Sequence, residues 1–227
     1  KDPKNVQALL IVANLRAQSG GSADEVAALI GKAVAANPND SDARLALIRH
    51  WTRSKEPKKA VAAAQDAVAA LPDRPEILDA AGIAYRAAGD SNLALQTYIK
   101  LAQLRPESPT PFMRMAEIHL AAKDNSAALD SLRKALTIKP DLVEAQRAII
   151  ALDVRSGNTN EALAAARSVQ KQRPTEPIGY ILEGNVHASR KAWAEAAAAY
   201  RSGLKQSGST ELALYLYASL IDGGKPK

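Results

Sequence analysis

Five prolines fall at one interval. Pro38, Pro72, Pro106, Pro140 and Pro174 follow one another every 34 residues, and Gly208 lands on the next beat. An interval of this length marks one supersecondary unit copied along a chain. With each proline at position 32, six complete units run over 7–40, 41–74, 75–108, 109–142, 143–176 and 177–210. Residues 211–227 begin a partial unit that stops after one helix. Residues 1–227 therefore read as a single repeat domain. The Pro-rich stretch 105–111 is an inter-repeat turn, not a linker, because the repeat phase runs straight through it.

Other columns share the phase. Position 20 holds Val26, Ala60, Ala94, Ala128, Ala162 and Ala196, and position 27 holds Ala33, Ala67, Leu101, Ala135, Val169 and Gly203. Position 8 holds Asn14, Ile48, Gly82, Ala116, Ile150 and Gly184, and position 24 holds Ile30, Ala64, Tyr98, Leu132, Ala166 and Tyr200. Small residues recurring at fixed places suit two helices that cross closely. Of the 227 residues 47 are Ala, and aromatics make up only 4%. Alanine is the best helix former, so an all-α chain is expected.

Local signals predict two antiparallel helices per unit. Gly21, Gly89 and Gly157 at position 15 suit a left-handed residue ending the first helix. Lys55, Lys123 and Lys191 take that position in the alternate units, at a cost of about 1 kcal/mol each if φ is positive. Ser22 with Glu25 forms a capping box, and Pro57 after Glu56 opens a second helix. Thr110 before Pro111, and Asp141 with Glu144, open first helices. Gly223 and Gly224 begin a helix stop that runs on through 227.

These columns resemble the tetratricopeptide repeat (TPR) family, which favours a small residue at 8, aromatics at 11 and 24, Ala at 20 and 27, and Pro at 32. Unit 75–108 matches best, through Leu78, Gly82, Tyr85, Ala94, Tyr98 and Pro106. Units 7–40 and 143–176 depart most, with Asn14 and Ile150 at position 8 and Ala17 and Asp153 at 11. The resemblance implies a TPR-type α-solenoid, a right-handed superhelix of antiparallel helix pairs with a concave groove lined by first helices. By resemblance the groove residues are Arg49, Arg53, Asp79, Arg86, Arg114, Glu117, Arg147, Arg155 and Asn185. The family's carboxylate clamp is not reproduced: positions 2 and 6 read Glu76 and Ala80, then Thr110 and Arg114.

Chemistry-bearing motifs are sparse. The chain has no Cys, which removes disulfides and thiolate sites. It has no HExxH pair, no Cys/His cluster, no GxxxxGK[ST] and no GxGxxG. No catalytic, cofactor-binding or metal residue is expected. His119 and His187 share position 11 and read as half-buried replacements for an aromatic; the third histidine is His50. The formal charge is +6, from 30 Lys and Arg against 24 Asp and Glu. Lys55, Lys58 and Lys59 cluster near Arg49 and Arg53, either as a solvated edge or as a seat for an anionic partner.

The stretch Glu161 to Ala213 is similar to the closing repeats of large TPR lipoproteins associated with PEP-CTERM/exosortase systems and exopolysaccharide production. It carries Gln172-Arg173-Pro174, Gly179-Tyr180-Ile181-Leu182-Glu183-Gly184 and Trp193-Ala194-Glu195-Ala196-Ala197. The similarity implies a periplasmic or outer-membrane-anchored scaffold in a Gram-negative bacterium, against a cytoplasmic alternative. The start at Lys1 reads as a piece of a longer protein. No apolar run reaches the ~18–20 residues a bilayer needs, so no direct membrane insertion is expected.

The expected function is a non-catalytic protein–protein interaction scaffold holding a protein or peptide segment in its groove. The alternatives are a polyanion (anionic glycan or nucleic acid) binding module, or a regulatory repeat domain of a larger enzyme. Helix 211–222 spreads Leu212, Leu214, Tyr215, Leu216 and Tyr217 around most of its surface, so it either continues into further chain or supports self-association.

Overall fold

The computed structural model describes residues 5–224; Lys1 and the helix-stop residues 225–227 lie outside them. Thirteen helices and no strand occur among the described residues. In chain order they are α1 (Val6–Gln18), α2 (Ala23–Ala36), α3 (Ser41–Arg53), α4 (Pro57–Ala70), α5 (Pro75–Ala87), α6 (Ser91–Leu104), α7 (Thr110–Ala121), α8 (Asn125–Ile138), α9 (Val143–Arg155), α10 (Thr159–Gln172), α11 (Ile178–Ser189), α12 (Trp193–Ser207) and α13 (Thr210–Asp222). Odd numbers are first helices of a repeat and even numbers are second helices, as the 34-residue phase requires. The fold is an all-α solenoid of helical hairpins.

The helices form two compact units, one ending at Ile118 and the other starting at His119. In the first unit each helix from α1 to α6 packs on the next, and first helices also meet, α1 with α3 and α3 with α5. In the second unit α8 to α13 do the same, with α9 meeting α11 and α11 meeting α13.

The core lies where the columns place it. At positions 20 and 27 every residue is buried, with Ala60, Ala94, Ala128, Ala162 and Ala196 fully so at position 20. Position 24 is buried throughout, from Ile30 to Tyr200. Positions 8 and 24 share one volume. Ile48 stands with Ala64 in one cluster, and Ile150 with Ala166 in another. Gly82 instead faces Tyr98, and Gly184 faces Tyr200: a Cβ on these glycines would lie 2.5 Å and 2.1 Å from the rings. A large side chain on one helix is matched by a small one across from it. Asn14 breaks the rule; it is exposed and lines an open pocket beside Ile30.

The six hairpins turn by one motif. The residue after the C-cap has positive φ at Gly20, Lys55, Gly89, Lys123, Gly157 and Lys191. The next N–H then donates to the carbonyl five residues back, from Glu56 to Trp51 at 3.1 Å and from Asn158 to Asp153 at 2.8 Å. This Schellman geometry satisfies carbonyls the helix end would leave bare. In the first repeat the left-handed residue is Gly20 and not Gly21, because α1 ends one position early in phase. Gly21 is needed for another reason: a Cβ there would sit 2.8 Å from the Arg16 carbonyl.

The Ser22–Glu25 capping box forms, and Pro57 takes the first position of α4 after Glu56. The Arg16 guanidinium, and then the Ser22 N–H, hold the Glu25 carboxyl below its usual range. Asp141 does not cap α9. That helix starts behind Leu142 without a side-chain cap, and Arg173 Nη2 takes up Asp141 by donating to its carbonyl at 2.7 Å. Asn5, Asp40, Asp90 and Asp124 are caps instead, each accepting from the N–H three residues on.

The inter-repeat turns are short, and 105–109 is one of them, spanning the gap between α6 and α7. Where position 4 is polar, its side chain donates to the carbonyl of the phase-setting proline. Arg44 reaches Pro38 at 2.6 Å, Gln146 reaches Pro140 at 2.8 Å and Tyr180 reaches Pro174 at 3.1 Å.

Two predictions follow from this packing. Gly82→Ile alone overpacks against Tyr98, and Tyr98→Ala alone leaves a cavity costing about 3–5 kcal/mol. The double variant recreates the Ile48/Ala64 pairing, so urea denaturation should show a loss well below the sum, with a coupling of at least about 1 kcal/mol. Separately, Lys123→Gly and Lys191→Gly should each raise stability by about 1 kcal/mol, because their φ values of 61° and 59° strain any residue with a Cβ. Gly89→Ala should lower stability by a similar amount.

Candidate functional site

The first helices of the first unit bring six of the expected groove residues onto one face. Arg49 and Arg53 lie on α3, Asp79 and Arg86 on α5, and Arg114 and Glu117 on α7. Their repeat positions (9 and 13, 5 and 12, 6 and 9) fall on the side of the helix turned away from the second-helix layer.

Four of these side chains neutralise one another. Arg114 Nε lies 3.4 Å from Asp79 Oδ1, Arg114 Nη1 lies 3.6 Å from Glu117 Oε1, and Arg86 Nη1 lies 3.4 Å from Glu117 Oε2. The chain Asp79–Arg114–Glu117–Arg86 carries two charges of each sign. Its separations give attraction without well-formed hydrogen bonds: Asp79 Oδ1 and Arg114 Nε are buried yet unpaired by hydrogen-bond geometry. The fully buried Tyr98 hydroxyl lies beneath this network, also without a hydrogen-bond partner.

Arg49 and Arg53 differ. Both are exposed, and neither has an acidic group within 4.0 Å among the described residues. Each lines two open pockets. The larger, about 490 Å³, lies against α1 and α2 and includes Leu10, Ala17, Val26, Ile30 and Ala46. The smaller, about 230 Å³, lies toward α5 and includes Ile48, Thr52, Asp79, Ala80 and Ile83. Of the nearby lysines, Lys59 is engaged locally, 2.6 Å from Asp24 and 4.4 Å from the Trp51 ring centre. Asp24 raises its pKa above the usual lysine range. His50 Nε2 bonds the Ala23 carbonyl at 2.8 Å, which makes it a structural contact.

The remaining expected residues belong to the second unit. Arg147 and Arg155 are exposed on α9 with no acidic partner within 4.0 Å among the described residues. Asn185 on α11 accepts a hydrogen bond from the Tyr200 hydroxyl at 2.7 Å. His119 and His187 are half-buried. On α13, Leu214, Tyr217 and Ile221 are exposed. Among the described residues no helix is long and apolar enough to cross a membrane, and no group of three His, Cys, Asp or Glu side chains gathers as a metal site would need.

Sequence reasoning missed the internal pairing of Arg86 and Arg114, and it missed the pockets. The pairing has a signal: opposite charges stand at positions 5 and 12 of one unit and 6 and 9 of the next. The pockets have a weaker one, the small residues Ala13, Ala17 and Ala46 around Asn14.

The Tetratricopeptide repeat family profile matches residues 13–75, 80–143 and 150–211. This chain belongs to the tetratricopeptide repeat family. Among proteins of curated function no sequence match is found. Solved structures share the fold at low identity. YrrB, described as a TPR protein with an unusual peptide-binding site, has 18% identity over 82% of this chain and 96% of its own, with a TM-score of 0.55. The pilF product of Pseudomonas aeruginosa has 17% identity over 94% and 96%, with a TM-score of 0.62. Yeast Tom70 has 15% identity over 96% of this chain but 47% of its own, with a TM-score of 0.62. Proteins of the TPR family act as protein–protein interaction scaffolds.

The two position-24 tyrosines of this TPR core resist ionisation, as does the buried Tyr85, whose pKa is raised by burial and then by Asp90. Burial, then the Asp79 charge, holds the Tyr98 phenol well above its ordinary range. Burial, with Tyr215 adding, pushes Tyr200 up to about 12. An unfolded tyrosine titrates near 10, so above that pH the folded chain holds protons the unfolded chain has lost. Stability should be intact below about pH 10 and fall as the pH rises beyond it. Urea midpoints at pH 9 and pH 11 should show this fall, and Tyr98→Phe should fall less than the parent. An equal fall in both would assign the loss to other groups.

Proposed function

We propose that this chain is a non-catalytic scaffold that holds a segment of a partner protein along the first-helix face of α3, α5 and α7. The observation that carries the reading is the pair of open pockets on either side of Arg49 and Arg53, where core residues such as Val26, Ile30 and Ile48 form part of the lining. The fold builds its core from second helices and the inner sides of first helices, which leaves this face for a partner. The peptide-binding site named for YrrB supports the same use of the fold. The bound segment crosses Arg49 and Arg53 and continues over Asp79, Arg86, Arg114 and Glu117. Arg147, Arg155 and Asn185 are a separate set on the second unit.

The narrower setting rests on the Glu161–Ala213 resemblance alone. In that setting the scaffold works in exopolysaccharide or protein-sorting assembly, outside the cytoplasm and lipid-anchored. Self-association through α13 rests on its exposed Leu214, Tyr217 and Ile221. Polyanion binding is the second reading, favoured by Arg49, Arg53, Arg147 and Arg155, which have no acidic partner among the described residues.

Site-specific photo-crosslinking in a native extract tests the scaffold reading. A photoreactive residue at Ile83, beside the smaller pocket, should capture a discrete protein, whereas one at the exposed Gln96 on α6 should not. Equal capture at both positions, or capture of nucleic acid or glycan at Ile83, would remove it.

A further inference from the structure

We infer that Arg49 and Arg53 are the carboxylate seat of a peptide site whose occupant carries one acidic side chain between two apolar ones. The inference rests on the scaffold reading above and names the chemistry of the segment.

The two guanidinium groups stand one turn apart on α3, and like charges at that spacing repel. Five other arginines of the same unit are engaged, and the exposed Arg74 is the exception among the described residues. Arg16 pairs with Glu25, Arg105 with Glu76, and Arg86 and Arg114 with Glu117. Arg44 donates to the carbonyls of Pro38 and Asp66. Arg49 and Arg53 therefore offer their donors outward, and a guanidinium fork matches a carboxylate in a bidentate way.

What flanks them sets the rest of the ligand. Both arginines line the larger pocket on one side and the smaller pocket on the other, so they form the ridge between two apolar hollows. In an extended segment every second side chain faces the same surface. The acid then sits on the ridge, with apolar side chains two residues before and two residues after it. Such a segment spans about 13 Å, enough to cross α3 at ordinary helix spacings of roughly 8–10 Å. Asp79 lines the smaller pocket and repels a second acid placed there. This favours a single carboxylate in an apolar context over a continuous polyanion.

The test uses the purified chain and a library of capped, fluorescein-labelled peptides. Each has Leu, Ile or Phe at the outer positions, Gly next to the centre, and Glu or Gln at the centre. Capping removes the terminal carboxylate as a source of binding. The expected result is that Glu peptides bind about tenfold more tightly than their Gln partners by fluorescence anisotropy. Arg49→Gln with Arg53→Gln should bring the Glu peptides down to the Gln level, while Lys100→Gln with Arg133→Gln, which removes two cations from the second helices α6 and α8, should leave that tenfold preference in place. Ala17→Trp, which fills the larger pocket from the exposed side of α1, should weaken Glu and Gln peptides alike. Helical melts check that each variant is folded.

Glu and Gln peptides binding equally, or the Arg49/Arg53 variant binding like the parent, would overturn the inference and leave the scaffold reading in place. So would binding of no library peptide while Ile83 still crosslinks a partner. Heparin or single-stranded DNA competing more strongly than the best peptide would overturn it in favour of a polyanion seat. Failure of both the library and the Ile83 crosslink would remove the scaffold reading as well.

Discussion

The close approach of the two helices within each hairpin is what the rest of the molecule depends on. A helix of 12–15 residues, the length found throughout, is marginal on its own in water. It becomes stable only by burying a face. Alanine at positions 20 and 27 lets the backbones come near, and the space left between them is divided between positions 8 and 24. Ile with Ala and Gly with Tyr are two divisions of the same space. Interiors packed to crystal-like density do not tolerate both partners being large or both small. The hairpin still has an uncovered side, so repeats must stack, and the outward faces of the first helices follow from that.

Much of this was legible in the sequence, because the features that set it are local or strictly periodic. Proline cannot sit inside a helix, so an evenly spaced series of prolines marks turns and gives every other residue a repeat position. The Gly/Lys alternation in the hairpin turn was legible for the same reason. Gly20 against Gly21 was not, since two adjacent glycines satisfy the motif in either phase and only the end of α1 decides. Asp141 misled because capping depends on the exact position. It stands at position 33, one residue before the position at which Asp40 caps α3, so Leu142 takes the cap position of α9 and the Asp141 carboxylate lies 3.5 Å from Arg173 instead.

The candidate site was legible in its membership and not in its electrostatics. Repeat positions named Arg49, Arg53, Arg86 and Arg114 as one set of arginines. The structure divides them: Arg86 and Arg114 meet acids from neighbouring first helices, while Arg49 and Arg53 meet none among the described residues. The difference lies in cross-repeat pairs such as Asp79 with Arg114, which a composition count averages away. A paired arginine costs an incoming anion the displacement of its internal partner. An unpaired one costs only its own hydration, so on the first-helix face of the first unit the useful positive charge is concentrated at α3.

Position 8 also ties the core to the binding face. Where it is glycine, the tyrosine at position 24 lies against the first-helix backbone and its hydroxyl reaches the polar side. Tyr200 donates to Asn185, and Tyr98 ends beneath Asp79 and Arg114. Where position 8 is Ile48 or Ile150, the small Ala64 or Ala166 opposite leaves no polar atom reaching outward, and the floor of the face is apolar. The smaller pocket beside Arg49 and Arg53 includes Ile48, so an apolar side chain of a partner meets hydrocarbon there. At α5 and α7 the floor is the Tyr98 hydroxyl and a self-paired ion network, which offers an apolar group nothing to bury against. The division of volume that makes the fold stable therefore also grades the face, apolar with available charge at α3 and polar with spent charge beyond it.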